Sequence, residues 1–251
     1  MKKVFKTIIA IFAALIAISY VFGYQYLFKG ISKTYLRGET SATIDDGPLF
    51  TNSPIHAGKP RPWIKDSAYN TKKLPKTLVE DLTNTNTAAF VVIKDGKILH
   101  EEYWDGYGPT SKTNSFSMAK GITSLLMGKA IDEGKFKSEN QKISDFYENY
   151  KNIPFGKEAT IKNLVTMEAG LDWDEAYYNP FGPNAKAYYG NSLAETTLLR
   201  GFKDKPGTKF EYQSGATQLL GFVLRKAINQ PIASYATHKL WAPLGMEQNA
   251  Y

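Results

Sequence analysis

The sequence predicts an α/β (α+β) protein with a transmembrane helix, then one β-hairpin, then a mostly helical remainder. An uncharged apolar run lies near the N-terminus, two strand-like segments flank an Asp-Gly turn, and apolar residues recur at helical spacing beyond residue 117. A chain of 251 residues with 43% hydrophobic content can also bury a full core. We therefore expect one large domain that carries an N-terminal appendage.

The first 29 residues have the pattern of a membrane anchor. Three lysines within the first six residues precede an apolar run over residues 7–28, and about twenty such residues can cross a bilayer. Lysines ahead of the span keep the N-terminus in the cytoplasm, so the rest of the chain is predicted to lie outside the cytoplasmic membrane, in a periplasmic or extracellular position. The alternative is a cleaved signal peptide, although Ala17 and Ser19 make a poor cleavage pair. We favour a retained anchor over residues 1–29.

Residues 30–73 are rich in Gly, Pro, Asn, Thr and Lys and show no sustained periodicity, so we interpret them as a tether that wraps loosely onto the domain. The folded domain is predicted over residues 74–251. It begins with a short helix at residues 75–83, which has a proline in its first turn. The stretch AAFVVIKDGKILHEEYW then predicts a hairpin, because Asp95-Gly96 stands between two runs of β-branched and aromatic residues.

Helical periodicity dominates the chain after the hairpin. Ser192 followed by Glu195 has the pattern of a capping box, which indicates one helix start, and Gly134 indicates one helix end. The predicted helices span residues 117–133, 143–150, 160–169, 192–202, 214–227 and 232–241.

The helix that opens on Ser117 is apolar around most of its circumference, which is typical of a buried helix. Ser117 and Lys120 share one face of it, with Cβ atoms about 5–6 Å apart. Burial disfavours a charged ammonium, and a neutral amine within reach of a hydroxyl can act as its base. The positive end of the helix dipole would also favour an oxyanion at the first turn. The pair is compatible with acyl transfer through a serine ester, but equally with a capping serine and a lysine that extends to solvent.

Other function classes fit the sequence less well. It contains neither G-x-S-x-G nor H-E-x-x-H, and with only His56, His100 and His238 a histidine-based triad is poorly supplied. The net charge of +7 is spread along the chain and includes only four arginines, which argues against nucleic-acid binding. The absence of cysteine excludes a disulfide framework and a thiolate metal site. We predict no cofactor, no metal site and no nucleic-acid partner.

Two motifs resemble the serine β-lactamase and penicillin-binding-protein superfamily. The first is SMAK at residues 117–120, which opens a strongly apolar helix after a β-hairpin. The second is PGTKFEYQSGATQLLGFVLRKAINQPIASYATHKLWAPLGM at residues 206–246, which is similar to the Tyr-x-Ser/Asn segment and following helices of the class C-like branch. Within that branch the chain most resembles 6-aminohexanoate-dimer hydrolases and related esterases. The segment IKNLVTMEAGLDWDE, at residues 161–175, also resembles the middle of such domains. The resemblance implies a β-lactamase/transpeptidase-like domain.

The resemblance also implies a set of site residues. Ser117 would be the nucleophile, Lys120 its base, and Tyr212 the phenol that passes the proton to the leaving group. Ser214 would help to place the substrate or Lys120. Spacing alone does not select Tyr212, because four other tyrosines have an asparagine two residues later. Its position favours it, since it follows a Pro-Gly turn and precedes a helix and can therefore project from a loop into a cleft.

Two features depart from the family pattern. The family's third motif, Lys-Thr-Gly, His-x-Gly or a relative, lies on a strand well beyond the Tyr-x-Ser/Asn segment, and the sequence reaches residue 251 before it; HAG at residues 56–58 has the right letters in the wrong place. A lone hairpin is also marginal in water and leaves an open edge. We therefore expect these 251 residues to be the N-terminal part of a longer domain or a truncated gene product. In addition, Glu168-Ala169 stands where the resemblance leads us to expect small hydroxyl residues.

The leading hypothesis is a membrane-tethered serine hydrolase that cleaves amide or ester bonds in a small-molecule or peptide-like substrate. The alternative is a non-catalytic or truncated regulatory relative that binds a peptide or β-lactam without turnover. The motifs do not identify the substrate, because amides, esters, D-peptides and β-lactams are all cleaved by the same three side chains.

Overall fold

The computed structural model describes residues 2–251, so Met1, the first residue of the predicted anchor, lies outside the described residues. The chain forms two compact units. The first, which we call the helical unit, comprises the chain up to Ile44 together with Ser115–Ile232. The second, the sheet unit, comprises Asp45–Asn114 and Ala233–Tyr251.

Over residues 2–251 the chain forms α-helices and a three-stranded sheet. The helices are α1 (Lys2–Val21), α2 (Tyr26–Lys33), α3 (Lys76–Asn84), α4 (Ala119–Asp132), α5 (Ile161–Val165), α6 (Pro183–Tyr189), α7 (Leu193–Leu198), α8 (Ser214–Ile228), α9 (Ile232–Ala236) and α10 (Ala242–Leu244). The strands are β1 (Ile64–Lys65), β2 (Ala89–Lys94) and β3 (Lys97–Tyr103).

Helix α8 is the centre of the helical unit. It packs against α4, α5, α6 and α7. Its inward side chains are almost completely buried; they include Leu219, Leu220, Val223 and Leu224. At the start of α8, Gly215 lies so close to the buried indole of Trp173 that a Cβ atom would overlap the ring. The predicted helix at 214–227 is therefore confirmed, and it is the scaffold on which this unit is built.

Helix α4 is buried on one face only. Leu126, Met127 and Ala130 are at most 2% exposed. Leu125, on the other side, is 59% exposed, and Met118 in the turn just before α4 is 79% exposed. The expectation that this helix is buried around most of its circumference is therefore wrong, because within residues 2–251 α4 contributes one face to the core and leaves the opposite apolar face open.

The N-terminal segment begins with a helix that is long and apolar enough to cross a membrane. This stretch, Lys3–Val21, has a mean hydropathy of 2.3. A signal sequence would have the same properties. Beyond it, α2 packs against α6 within the helical unit, and the buried Tyr26 donates a hydrogen bond from its hydroxyl to the Pro180 carbonyl at 3.0 Å.

The sheet unit contains the predicted hairpin. Strands β2 and β3 are antiparallel from Ala89↔Tyr103 to Lys94↔Lys97, with a register shift after Val92. The turn residues Asp95 and Gly96 both have positive φ, 49° and 73°, as a type I′ hairpin turn requires. The hairpin is confirmed. Strand β1 adds a parallel edge to β3, so the sheet order is β1-β3-β2.

Residues 64–70 are more ordered than a loose tether. The Glu101 carboxylate on β3 accepts a hydrogen bond from the Tyr69 hydroxyl at 2.6 Å and lies 3.4 Å from Lys65 Nζ. Asn70 exchanges two hydrogen bonds at 2.9 Å with the Glu101 backbone. The composition of this stretch predicts a loop, and these tertiary contacts with β3 give it a fixed path.

Several predicted helices are shorter in the structure or are replaced by turns. The extended backbone of Tyr147 divides the predicted 143–150 helix into two 3₁₀ turns. The 160–169 helix ends at Val165, because Met167 adopts a left-handed backbone with φ of 59°. The 192–202 helix ends at Leu198, because Phe202 pairs with Leu171 instead. The 232–241 helix changes from α to π geometry at Thr237.

Candidate active site

Ser117 lies at a tight entry into α4. It is the middle residue of the 3₁₀ turn Phe116–Met118, so α4 itself begins two residues later than predicted. Phe116 has a left-handed backbone with φ of 44°, which is unfavourable for a residue with a Cβ atom. Strained backbone of this kind is concentrated at functional sites, and Phe116 directly precedes Ser117. Ser117 is exposed to solvent.

The structure brings Ser117, Lys120 and Tyr212 together. Lys120 Nζ lies 3.2 Å from Ser117 Oγ, and the Tyr212 hydroxyl lies 2.8 Å from the same oxygen. Lys120 Nζ is also 4.9 Å from the centre of the Tyr212 ring. Ser117 Oγ therefore accepts from an amine and a phenol at once, although Tyr212 is 95 residues away in sequence.

The electrostatics of the site favour ionisation of the phenol. Burial alone would raise the pKa of Tyr212, but its hydrogen bonds with Ser117 and Lys120 and the positive charge of Lys120 outweigh burial, and the pKa is lowered. The nearby Glu175 carboxylate opposes this lowering. Tyr212 is 39% exposed and Lys120 is half-buried, so the expected full desolvation of the amine is not found. The site depends on direct contacts more than on burial.

Hydrogen bonds to residues 167–171 hold the loop that carries Tyr212. The Gly207 N–H donates to the Glu168 carbonyl and the Glu211 N–H donates to the Met167 carbonyl, both at 2.8 Å. Gln213 is 1% exposed, and its amide donates to the Leu171 carbonyl at 2.7 Å. Because Gln213 points into the core, the two residues that flank it point away from it.

Ser214 is engaged by a carboxylate that the sequence analysis did not single out. Its backbone N–H donates to Glu175 Oε2 at 2.7 Å and its hydroxyl donates to Glu175 Oε1 at 2.6 Å. The Tyr177 hydroxyl donates to Glu175 Oε1 at 2.5 Å. Burial of this hydroxyl, and then its bond to Glu175, raise the pKa of Tyr177 to about 12, although the residue as a whole is 70% exposed.

The structure thus groups Ser117, Lys120 and Tyr212 and shows the Ser214 hydroxyl bonded to Glu175. No spacing rule links Glu175 to Ser214, because 39 residues separate them. The sequence holds one weak signal: Glu175 ends the segment IKNLVTMEAGLDWDE, which resembles the middle of related domains.

A serine oxygen between an amine and a phenol is suited to nucleophilic catalysis. A hydroxyl is a weak nucleophile until an adjacent group accepts its proton. With Nζ and the phenol both within hydrogen-bond reach, the proton has two acceptors and a short path away from Oγ. The same two groups can return it to a departing atom.

Comparison with known proteins identifies a family. The model of the beta-lactamase family matches residues 76–251 of the chain. Among curated proteins, the chain is 23% identical over 185 residues to 6-aminohexanoate-dimer hydrolase of Paenarthrobacter ureafaciens, covering 69% of this chain and 46% of that protein. It is 25% identical over 177 residues to Protein flp of Staphylococcus aureus, covering 65% of this chain and 34% of that protein. The chain therefore spans less than half the length of these two relatives.

Solved structures share the fold. A structure assigned as a 6-aminohexanoate-dimer hydrolase from Bacillus anthracis matches with a TM-score of 0.66 and 19% identity, over 90% of this chain and 61% of that one. A structure assigned as a beta-lactamase from Bacteroides dorei matches with a TM-score of 0.55 and 18% identity, over 68% of this chain and 50% of that one. The fold is the β-lactamase/transpeptidase-like α/β fold, as the sequence analysis predicts.

Proposed function

The chain belongs to the beta-lactamase family, and on that premise we propose that it is a serine hydrolase that cleaves an amide or ester bond through an acyl-Ser117 intermediate. The observation that carries the proposal is the convergence of Lys120 Nζ and the Tyr212 hydroxyl on Ser117 Oγ, at 3.2 and 2.8 Å. A capping serine beside a solvated lysine would need no phenol from a remote loop. The convergence therefore favours the chemical role of the pair over a structural one.

In the acylation step, Ser117 Oγ attacks the substrate carbonyl carbon. Its proton passes to the Lys120–Tyr212 pair as the new C–O bond forms, and the carbonyl electron pair becomes an oxyanion. The position of Ser117 at the N-terminal end of α4 places that negative charge near the positive end of the helix dipole. Collapse of the oxyanion breaks the bond to the leaving nitrogen or oxygen, which takes the proton from Tyr212.

Deacylation runs through the same groups. A water molecule attacks the acyl-Ser117 carbonyl and gives its proton to the Lys120–Tyr212 pair. Ser117 Oγ then leaves and recovers a proton, so the enzyme returns to its starting state. The lowered pKa of Tyr212 suits both steps, because general acid–base catalysis is most efficient when the pKa of the group approaches the working pH.

We also propose that the protein is anchored in the cytoplasmic membrane by the helix Lys3–Val21 of the predicted anchor segment 1–29, with the hydrolase outside the membrane. The apolar stretch Lys3–Val21 and the three lysines at its N-terminal end, Lys2, Lys3 and Lys6, support this location. The predicted division into an anchor, residues 30–73 and a domain over 74–251 remains part of the proposal. The names of the relatives suggest a linear amide as one substrate class to test, and the family name suggests a β-lactam.

Active-site labelling tests the proposed function. Purified protein is incubated with a fluorescent fluorophosphonate and, separately, with a fluorescent penicillin, and labelled protein is quantified by gel. We expect stoichiometric labelling of the wild type by at least one probe. Ser117→Ala should abolish it, and Ser115→Ala, the matched neighbour two residues earlier, should leave it unchanged.

Turnover separates a hydrolase from a binding protein. Release of product from amide and ester substrates, with recovery of free Ser117, supports the hydrolase. A stable adduct on Ser117 without release supports the non-catalytic alternative. If the folded wild type reacts with neither probe, the proposed function is wrong.

A further inference from the structure

The Glu175 carboxylate accepts three hydrogen bonds and lies close enough to Tyr212 to oppose the lowering of its pKa. Two come from Ser214, through its N–H at 2.7 Å and its hydroxyl at 2.6 Å, and the third comes from the Tyr177 hydroxyl at 2.5 Å. Hydrogen bonds to an ionised acceptor are roughly twice as strong as those between neutral groups. The carboxylate therefore fixes Ser214 at both its backbone and its side chain.

The two hydrogen bonds between Glu175 and Ser214, which we call the Glu175 clamp, restrain the segment that carries Tyr212. Ser214 is the first residue of α8 and lies two residues after Tyr212, with Gln213 between them. Gln213 is buried and donates to the Leu171 carbonyl at 2.7 Å. Tyr212 is thus followed by two residues that are both tied to the same stretch, 171–175. Both ties restrain the backbone that directly follows Tyr212.

The hydrogen bonds of Gln213 and Ser214 restrict the backbone next to Tyr212. Its ring is 39% exposed, so packing alone does not hold it. Its hydroxyl nevertheless lies 2.8 Å from Ser117 Oγ. A displacement of about 1 Å in a reacting group can cost about 10²-fold in rate, so a half-exposed phenol needs its backbone held.

We propose that Glu175 is a positioning residue for acylation, which holds the Tyr212 hydroxyl against Ser117 by clamping Ser214. This role rests on the proposed serine hydrolase function. A carboxylate suits it because both oxygens are acceptors, whereas a glutamine presents one acceptor and would turn an N–H towards one of the two donors of Ser214.

A double-mutant cycle tests this role through the rate of fluorophosphonate labelling. The proteins are wild type, Glu175→Gln, Tyr212→Phe and the double variant Glu175→Gln/Tyr212→Phe. We expect Glu175→Gln to slow labelling by about 10- to 100-fold, the range of a lost hydrogen bond to a charged group. In the Tyr212→Phe background the same change should alter the rate by less than about twofold, since residues that act through one another are not additive.

Three variants provide controls. Asp174→Asn removes the same charge one residue earlier, where the carboxylate accepts from the Ala176 N–H and the Asn179 amide, and it should leave the rate unchanged. Glu175→Asp keeps both acceptors and the charge, so it should recover part of the lost rate. Ser214→Ala removes one of the two donors and should slow labelling less than Glu175→Gln. Circular dichroism and thermal melting establish that each variant is folded.

The outcomes separate failure of this role from failure of the function. If the folded wild type is not labelled, the proposed function and this role are both wrong. If the wild type is labelled but folded Glu175→Gln matches it, only the role of Glu175 is wrong. If Glu175→Gln slows labelling by the same factor in the wild type and in Tyr212→Phe, the role is also wrong, because Glu175 would then act without the Tyr212 hydroxyl. If Glu175→Gln does not fold, the same comparison with Glu175→Asp and Ser214→Ala decides.

Discussion

The helical unit and the sheet unit differ in the interactions that stabilise each of them internally. The helical unit is built on α8, whose inward residues are at most about 1% exposed in the middle of the helix, such as Leu219 and Val223. In the sheet unit, Val91 and Ile93 on β2 are 45% and 49% exposed. In this unit, hydrogen bonds of Glu101 with Tyr69 and Asn70 hold the segment before the hairpin against β3.

The better-packed unit is the one that contains the proposed site. All the proposed site residues, Ser117, Lys120, Tyr212 and Ser214, belong to the helical unit. Their backbone is fixed by a packed core and by the ties of residues 206–214 to residues 167–175. Reactive groups need to be held closely, and sites on rigid elements achieve this better than sites on weakly packed ones. The site side chains Lys120 and Tyr212 are partly exposed, whereas the core of α8 is buried. We therefore expect some substitutions in the helical unit to reduce reactivity without reducing stability, and others to do the reverse.

The largest expected effect is the loss of reactivity without loss of stability. Lys120→Ala and Tyr212→Phe should each slow labelling of Ser117 by about 10²–10⁴-fold, because each removes an acid–base group next to Oγ. Urea unfolding should change little, since Lys120 is only half-buried. Lys129→Ala is the matched control on α4, where the lysine lies 3.8 Å from Glu133, and it should keep the wild-type rate. An unchanged rate in Lys120→Ala would contradict the proposed role of the amine.

The next effect comes from the tight packing of α8. Gly215→Ala should destabilise the protein by about 1–3 kcal/mol, because the new Cβ atom would overlap the Trp173 ring. On the same helix, the Cβ of Gly221→Ala would meet Ile232 Cδ1 at 3.7 Å, an ordinary contact. That variant should be neutral or gain up to about 1 kcal/mol of helix propensity. Thermal unfolding of the two variants checks the contrast, and equal stability would mean that α8 and Trp173 can separate without cost.

A matched pair of valines compares the two units directly. Val223→Ala, in the core of α8, should cost about 2 kcal/mol of unfolding free energy, since it removes two buried methyl groups. Val91→Ala, on the exposed face of β2, should cost less than about 1 kcal/mol. Urea unfolding measures both. If Val91→Ala costs as much as Val223→Ala, the face of β2 is covered in the folded protein and the contrast between the units is wrong.

The smallest effect is the acid sensitivity of the sheet unit. The hydrogen bond from Tyr69 and the nearby Lys65 lower the pKa of Glu101, against the effect of burial. A lowered folded-state pKa gives stability that is present above the unfolded value near 4.5 and is lost as the pH falls through the folded value. Hydrogen exchange of β1 and β3 amides, corrected for intrinsic rates, should therefore rise below about pH 4.5 before that of α8.

Two variants are controls for this acid effect. Glu101→Gln should make exchange in β3 less dependent on pH, because the titrating carboxylate is gone. Glu80→Gln, at an exposed position of α3, should leave the pH dependence as in the wild type. If Glu101→Gln keeps the full pH dependence, another group is responsible for it.

The sequence predicts best the features that local patterns determine. The turn at Asp95-Gly96 selects the hairpin, and the apolar periodicity of residues 214–227 selects α8. Helix ends were predicted less well, because tertiary contacts decide them. The pairing of Phe202 with Leu171 stops α7 at Leu198, and the left-handed backbone of Met167 ends α5 at Val165.

The site shows the same limit. The i, i+3 spacing brings Ser117 and Lys120 together, but spacing does not select Tyr212 among 16 tyrosines; the family resemblance and its position between a Pro-Gly turn and a helix indicate it. Glu175 was not selected, because its link to Ser214 exists only after the chain has folded. The expectation that the domain continues beyond residue 251 stays a prediction.

The central claim, that Ser117 is the nucleophile, is tested most directly by mapping the covalent adduct. After reaction with a fluorophosphonate, the protein is digested with trypsin, and the peptide TNSFSMAK, residues 113–120, is sequenced by tandem mass spectrometry. This peptide contains three hydroxyl side chains, Thr113, Ser115 and Ser117, and fragment ions distinguish them. We predict the added mass on Ser117 alone in the wild type and no adduct in Ser117→Ala. An adduct on Ser115 or elsewhere, or an unmodified peptide from folded, probe-treated protein, would contradict the account.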